Sequence, residues 1–156
     1  KLCLEILQKH TEEGIRVLDM GCGSGILSIA AMLLGADHAA AVDIEQNAVE
    51  TALENAGKNN IPAEKYKTYF GDITSDSGLA DEIDDKYDMI TANIVADVLI
   101  AMRDHFRRYL RQGGILIVSG IIEERMDEVI NALVDAGFKQ PEAHVREGWA
   151  AVKFTL

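Results

Sequence analysis

Apolar positions along this chain fall into two alternating patterns, helical stripes and short continuous runs. Leu2, Leu4, Ile6 and Leu7 predict an opening helix that ends near the charged stretch 9–13, with Gly14 as its stop. Residues 16–20 predict a short buried strand, followed by a glycine cluster and a helix over 26–34 that Gly35 closes. A second apolar strand is predicted over 39–44. The stripe Ala48, Val49, Ala52, Leu53 and Ala56 then predicts a helix over 46–58. Asn59-Asn60-Ile61-Pro62 breaks it, and residues 66–70 predict a third strand running into Gly71-Asp72. The polar stretch 74–85 reads as a loop with one helical turn. A fourth strand over 87–92 leads through Asn93-Ile94-Val95-Ala96 into a helix reaching Leu110. Gly113-Gly114 turns into a strand over 115–119, a helix follows over 123–136 and stops at Gly137, and two final strands, 142–146 and 150–156, flank Gly148.

Strands alternating with helices of this length predict an α/β domain, a mostly parallel sheet covered on both faces. The last two strands have only a glycine-containing turn between them and should form an antiparallel hairpin at one edge. No repeat, low-complexity tract or linker divides the chain, so residues 1–156 read as one domain. A chain of this size can bury roughly 70% of its unfolded surface, enough for a core without disulfides or metals.

The chemistry concentrates where the first strand meets its helix, at Asp19-Met20-Gly21-Cys22-Gly23-Ser24-Gly25. Glycines there permit positive φ and close approach of backbone to a ligand. Three glycine-loop chemistries compete. A Walker loop requires Gly-Lys-Ser/Thr at the helix start, and no lysine stands there. A dinucleotide loop requires a third glycine where Ile26 stands and has no use for an acid before it. The pattern here is Gly-x-Gly-x-Gly preceded by Asp19, and a carboxylate aimed into that loop would repel a pyrophosphate. It suits a ligand with a cationic amino-acid end and no phosphate, and S-adenosylmethionine is one. Asp43, closing the second strand, can accept from both ribose hydroxyls, and Asp72, closing the third, from an adenine amino group. A lone acid at a strand end is usually a cap or turn former. Three at successive strand ends point to a shared ligand.

Charge narrows the partners. With 26 acidic and 15 basic residues the net charge is −11, which argues against a surface that tracks nucleic-acid phosphates. It is compatible with a basic protein partner or simply with solubility. No apolar run is long enough to cross a bilayer. Cys3 and Cys22 form no metal or redox spacing, which fits a reducing cytoplasm. His10, His38, His105 and His144 share no spacing, so no metal is expected. The chain opens at Lys1 without an initiator Met and reads as a piece of something longer.

Taken together, these residues resemble the class I S-adenosylmethionine-dependent methyltransferases, and within them the PrmA family, which methylates the stalk-base protein of the large ribosomal subunit. The resemblance rests on Leu2-Cys3-Leu4-Glu5, Val17 through Leu27, Asn93-Ile94-Val95-Ala96, Gly113-Gly114-Ile115-Leu116, Ser119-Gly120-Ile121 and Glu147-Gly148-Trp149, and covers nearly the whole chain. It implies a Rossmann-like three-layer sandwich with a seven-stranded, mostly parallel sheet and an antiparallel last strand. It implies S-adenosylmethionine as cofactor, S-adenosylhomocysteine as product, no metal, and a ribosomal protein as partner. The cofactor residues expected are Asp19, Gly21, Cys22, Gly23, Gly25, Ile26, Asp43, Ile44, Asp72, Ile73 and Asn93.

Asn93 and Ile94 are the candidate catalytic residues, the amide oxygen of one and the carbonyl of the other accepting from an attacking amine. A plain strand-end turn is the alternative for Asn93. Trp149 reads first as hairpin packing, with closure of the methyl-transfer pocket as its alternative. The family carries a separate N-terminal recognition domain and a Gly/Thr/His segment before the Cys-Leu-Glu helix, both absent here. The rival functions are a small-molecule or RNA methyltransferase, a non-catalytic cofactor-binding module and, at the level of fold, a dehydrogenase.

Overall fold

A computed structural model describes residues 1–83 and 86–156. Seven helices and seven strands follow in the order α1 (Leu2–His10), β1 (Arg16–Met20), α2 (Ile26–Leu33), β2 (His38–Asp43), α3 (Gln46–Lys58), β3 (Tyr66–Phe70), α4 (Ser77–Glu82), β4 (Tyr87–Asn93), α5 (Ala96–Ala101), α6 (Arg103–Tyr109), β5 (Leu110–Ile122), α7 (Met126–Asp135), β6 (Lys139–Arg146) and β7 (Trp149–Thr155) among these residues. The strands form one sheet in the order β3-β2-β1-β4-β5-β7-β6. The first five pair in parallel and β7 pairs antiparallel with both β5 and β6. This is the expected α/β sandwich with its antiparallel edge hairpin. The hairpin turns on Glu147 and Gly148, both at positive φ, the geometry that matches the twist of its strands.

Strand alternation decides which residue meets which layer. On β1, Val17 packs with Cys3, Ile6, Leu7 and Leu27 from α1 and α2. Leu18 and Met20 face the other way, into the larger core with Leu99, Phe106, Tyr109, Val129 and Leu133 from α5, α6 and α7. The chain leaves β1 toward β2 and β3, then returns to lay β4 on β1's other side. The reversal opens a crevice beyond the carboxyl ends of β1 and β4, where open sheets bind ligands. Among the described residues no helix is long and apolar enough to cross a membrane.

Several expected boundaries change. The single helix expected to reach Leu110 is broken at Met102, and the bend lets Leu99 on one piece and Phe106 and Tyr109 on the other all bury. The fifth strand is longer at both ends. Tyr87 pairs with Leu110 and Met89 with Ile115, so residues 111–114, with Gly113 at φ +76°, bulge out of a strand where a turn was expected. The helix expected from Glu123 opens with a 3-10 turn, Glu123–Arg125. Trp149 begins β7 rather than sitting in the turn. Asp84 and Asp85, the end of the expected 74–85 loop, lie outside the described residues; within it, Asp76 caps α4 by accepting from the Leu79 N–H at 3.0 Å.

Candidate cofactor and acceptor site

The glycine loop closes β1 onto α2, and most of its hydrogen-bond donors are spent inside the protein. The Gly21 and Cys22 N–H groups donate to the Val42 carbonyl at 2.9 and 3.1 Å, and Gly25 to the Cys22 carbonyl at 2.8 Å. Gly23 donates to Asp43 Oδ2 at 2.9 Å. A phosphate cradle needs these donors free. This loop has turned three of them onto β2 and the fourth onto its own Cys22 carbonyl instead.

Asp19 corrects an expectation. It shares Val17's side of β1, so it points beneath the loop and not into the space above it. Buried, it accepts from the Ser28 N–H at 3.2 Å and the Thr91 hydroxyl at 2.8 Å. Gly25, the residue before α2, has no side chain to cap the helix, and Asp19 supplies the missing acceptor from the neighbouring strand. It ties β1, α2 and β4 together under the site and does not line it.

Burial pushes the Asp19 carboxyl up, against the bonds from Thr91 and Ser28 that favour its ion. A carboxyl raised in the native state holds its proton more tightly there than in the unfolded chain. Its contribution to stability is therefore present below the unfolded value near 3.9 and lost as pH rises through the native value. In Asp19→Asn the amide oxygen can accept from Ser28 and the amide nitrogen donate to Thr91, with no charge to bury. The stability of Asp19→Asn relative to wild type should rise between about pH 4 and the native pKa, then level off. Urea midpoints across pH check this; parallel curves for the two proteins would refute it.

The crevice is a cleft of about 670 Å³. Its floor is Met20, Gly21, Val42 and Ile73; Asp43, at the end of β2, bounds it with Ile44 and Glu45 from the turn that follows, and Asp97, Val98 and Ala101 of α5 bound it with the cap residue Met102. Ile44 and Val95, 69% and 62% exposed, are apolar walls with nothing packed over them. Four of the lining residues carry carboxylates, Asp43, Glu45, Asp72 and Asp97, and no Lys, Arg or His is among the described lining residues. Asp97 is paired with Arg125 at 2.7 Å. A pyrophosphate would meet net repulsion from these carboxylates; a neutral nucleoside with a cationic tail would not.

The two strand-end acids differ in what they have left to offer. Asp43 accepts from Gly23 and, through Oδ1, from the Glu45 N–H at 3.0 Å. Asp72 Oδ1 accepts from the Thr74 N–H at 2.9 Å and its hydroxyl at 2.6 Å, and Oδ2 from the Ser75 hydroxyl at 3.0 Å. The Thr74 bonds hold the Asp72 carboxyl below its ordinary value. With about four acceptor positions per carboxylate, Asp43 keeps about two and Asp72 about one. That matches a ribose diol at the first and a single amino N–H at the second.

Gly21, Asp43, Ile44, Asp72, Ile73 and Ile94 of the expected set line the cleft. Cys22 turns its side chain into the layer with Ile29, Ala52 and Tyr66, and burial pushes its thiol up to about 12, so it stays neutral. Gly23, Gly25 and the exposed Ile26 shape the loop beside the cleft without lining it. Asn93 ends β4, exposed next to Ile94, with Oδ1 accepting from the Ser119 hydroxyl at 3.0 Å. Trp149 stands outside the lining, paired with Ile122 and Arg146 in the sheet. The α5 wall went unforeseen, and so did Glu45, Thr74 and Val95. The exposed apolar side chains of Val95 and Val98 look like core in a linear reading.

The whole chain, residues 1–156, matches the family model described as ribosomal protein L11 methyltransferase (PrmA). The ribosomal protein L11 methyltransferase of Dictyoglomus turgidum is 41% identical over 151 residues, 97% of this chain and 48% of that protein. The crystal structure of a ribosomal protein L11 methylase from Lactobacillus delbrueckii subsp. bulgaricus superposes with a TM-score of 0.87 at 28% identity, covering 99% of this chain and 76% of the other. An RNA methyltransferase from Salinibacter ruber, solved with S-adenosyl-L-homocysteine, shares the fold at a TM-score of 0.72 and 16% identity, over 99% and 90% of the two chains. The chain spans about half the length of the curated relatives it matches.

Proposed function

This chain belongs to the ribosomal protein L11 methyltransferase (PrmA) family, and from that premise we propose that it binds S-adenosylmethionine and transfers the methyl group to an amine, a lysine side chain or N-terminus, of a ribosomal protein in the cytoplasm. The observation that carries the cofactor reading is the cleft itself, which has spare carboxylate acceptors at two strand ends and, among its described lining residues, no Lys, Arg or His to hold a phosphate. Asp43 would hold the ribose hydroxyls, Asp72 the adenine amino group, and Ile44 and Ile73 the faces of the base. Residues 1–156 act as the cofactor-binding and methyl-transferring domain, and recognition of the ribosomal protein falls to a separate part of the enzyme.

S-adenosylmethionine supplies, when bound, a methyl group on a positively charged sulfur. The protein's work is to place a neutral amine in line with it and keep water away. Asn93 Oδ1 and the Ile94 carbonyl would accept the amine's N–H hydrogens and leave its lone pair aimed into the cleft. Held this way, the amine would be aligned for in-line displacement at that methyl group, and the proton it sheds would leave to solvent past the exposed Asn93. The exposed Val95 and Val98 give the amine an apolar entry that favours its uncharged form.

The test is mass spectrometry of ribosomal protein L11 after incubation with labelled S-adenosylmethionine. It uses this chain alone and this chain joined to the remaining half of the Dictyoglomus turgidum relative. Methyl gain on an amine is the expected result. Cofactor binding without methyl gain by the joined protein would overturn the substrate assignment, and absence of cofactor binding would overturn the reading altogether. Asn93→Ala should lower turnover about 10²-fold, the scale of a misplaced reactant, and leave the Kd for S-adenosylhomocysteine within about twofold.

A further inference from the structure

The carboxyl ends of β4 and β5 are joined more closely than neighbouring strands require. Ser119 is buried, its hydroxyl donates to Asn93 Oδ1 at 3.0 Å, and its carbonyl accepts the Ile94 N–H at 3.1 Å. One serine therefore holds both residues of the candidate acceptor site, the first by its side chain and the second by its backbone. Gly120 follows as the extra residue of a bulge, since Ser119 pairs with Ala151 and Ile121 with Ala150. At φ +81° it lies against the same two residues. A Cβ there would stand 3.0 Å from Asn93 Oδ1, 3.0 Å from the Ile94 carbonyl and 3.2 Å from the Ile94 nitrogen. Glycine leaves both acceptor oxygens uncovered on that side.

The direction of the serine hydrogen bond is fixed by what surrounds it. An amide oxygen only accepts, so Ser119 must donate to it. The nearby Cys3 thiol, which burial pushes up to about 11 with Ser119 opposing the rise, stays protonated and competes poorly for that hydrogen. The Asn93 amide is thereby anchored through its oxygen. One lone pair of the oxygen is used by Ser119 and one remains.

We propose that Ser119 is a positioning residue for methyl transfer, orienting the Asn93 amide so that its remaining lone pair meets the incoming amine, with Gly120 keeping the Ile94 carbonyl open beside it. This rests on Asn93 and Ile94 forming the acceptor site. Ser119 touches neither cofactor nor amine, so it acts on turnover and not on cofactor affinity.

Two measurements test it. In nitrogen-15 spectra of this chain, Ser119→Ala should shift or broaden the Asn93 side-chain amide pair, and Ser119→Thr, which keeps the hydroxyl, should restore it. The Kd for S-adenosylhomocysteine should stay within about twofold in both, which also shows that the variants fold. In the joined protein, Ser119→Ala should lower kcat about tenfold, the worth of one hydrogen bond, with the KM for S-adenosylmethionine unchanged. Ser119→Thr should recover most of it, and Ser119→Ala should add no further loss to Asn93→Ala. Asn93 amide signals identical in wild type and Ser119→Ala would overturn the proposal, as would losses that multiply in the double variant. Full turnover in Asn93→Ala would remove the acceptor-site reading and this proposal with it. Impaired Asn93→Ala beside normal Ser119→Ala would remove this proposal alone.

Discussion

Gly25→Ala should destabilise the protein by about 3 kcal/mol or more and take cofactor binding with it. The added Cβ would stand 2.7 Å from Tyr66 Oη, 2.9 Å from Ala52 Cβ and 3.2 Å from Ala52 Cα, at φ +79°. Neither neighbour can yield. Ala52 offers its helix backbone, and the buried Tyr66 hydroxyl is fixed 2.9 Å from the Ser28 hydroxyl. The strain of a left-handed alanine adds about 1 kcal/mol to the overlap. Against a total stability of about 5–15 kcal/mol the sum is a large fraction. Gly23→Ala is the control, because at φ +52° its Cβ would meet nothing within 4 Å, and it should cost only about 1 kcal/mol. Adding Tyr66→Phe to Gly25→Ala should recover part of the loss and no more, since the contact with Ala52 persists. Urea midpoints check all three. Equal losses in the Gly25 and Gly23 variants would mean that backbone conformation alone, and not the α3 contact, explains the glycine.

That contact spans 27 positions, which is why the sequence marks Gly25 as required without saying what requires it. Signals read one element at a time came through well. The strand and helix periods, the stop at Gly35, the break at Asn59-Asn60-Ile61-Pro62 and the acids Asp43 and Asp72 at strand ends all sit where local chemistry places them, whereas α1 already ends at His10 with Thr11 as its cap and Gly14 falls in the turn beyond. The errors come from pairing across distance. Residues 111–114 look like a turn because Gly113 permits one, and only the register of Tyr87 and Met89 against β5 makes them a bulge. Asp19 carried a signal that went unused: on a strand it must share a face with Val17, and Val17 packs on α1 and α2. Its place at the foot of α2, bonded to Ser28, follows from that alternation. The α5 wall of the cleft gives no such signal, because the reversal at β4 brings Asp97 and Val98 beside Asp43 only once the sheet is assembled.

Asp43→Ala should weaken S-adenosylhomocysteine binding by about 10²-fold or more, and Asp72→Ala by about tenfold, a difference that follows from the acceptor positions each acid has left. Two charge-assisted bonds to ribose hydroxyls, at about 1.5 kcal/mol or more each, give the first figure, and one bond to an amino group gives the second. Asp43 has a second task, because its Oδ2 holds the Gly23 N–H and its Oδ1 the Glu45 N–H, so the empty protein should also lose a little stability when it is removed. Titration with adenosine separates the tasks. Adenosine carries the ribose and the base without the methionine, so a loss that arises from the ribose persists in full with adenosine as ligand. A loss that arises from a displaced glycine loop should shrink, because adenosine lacks the methionine end that the loop is expected to adjoin. Asp43→Asn keeps one acceptor oxygen and should fall between wild type and Asp43→Ala. If Asp72→Ala proves the more damaging of the two by calorimetry, the ribose and the base have been assigned to the wrong strand ends, and the cleft must hold its ligand the other way round.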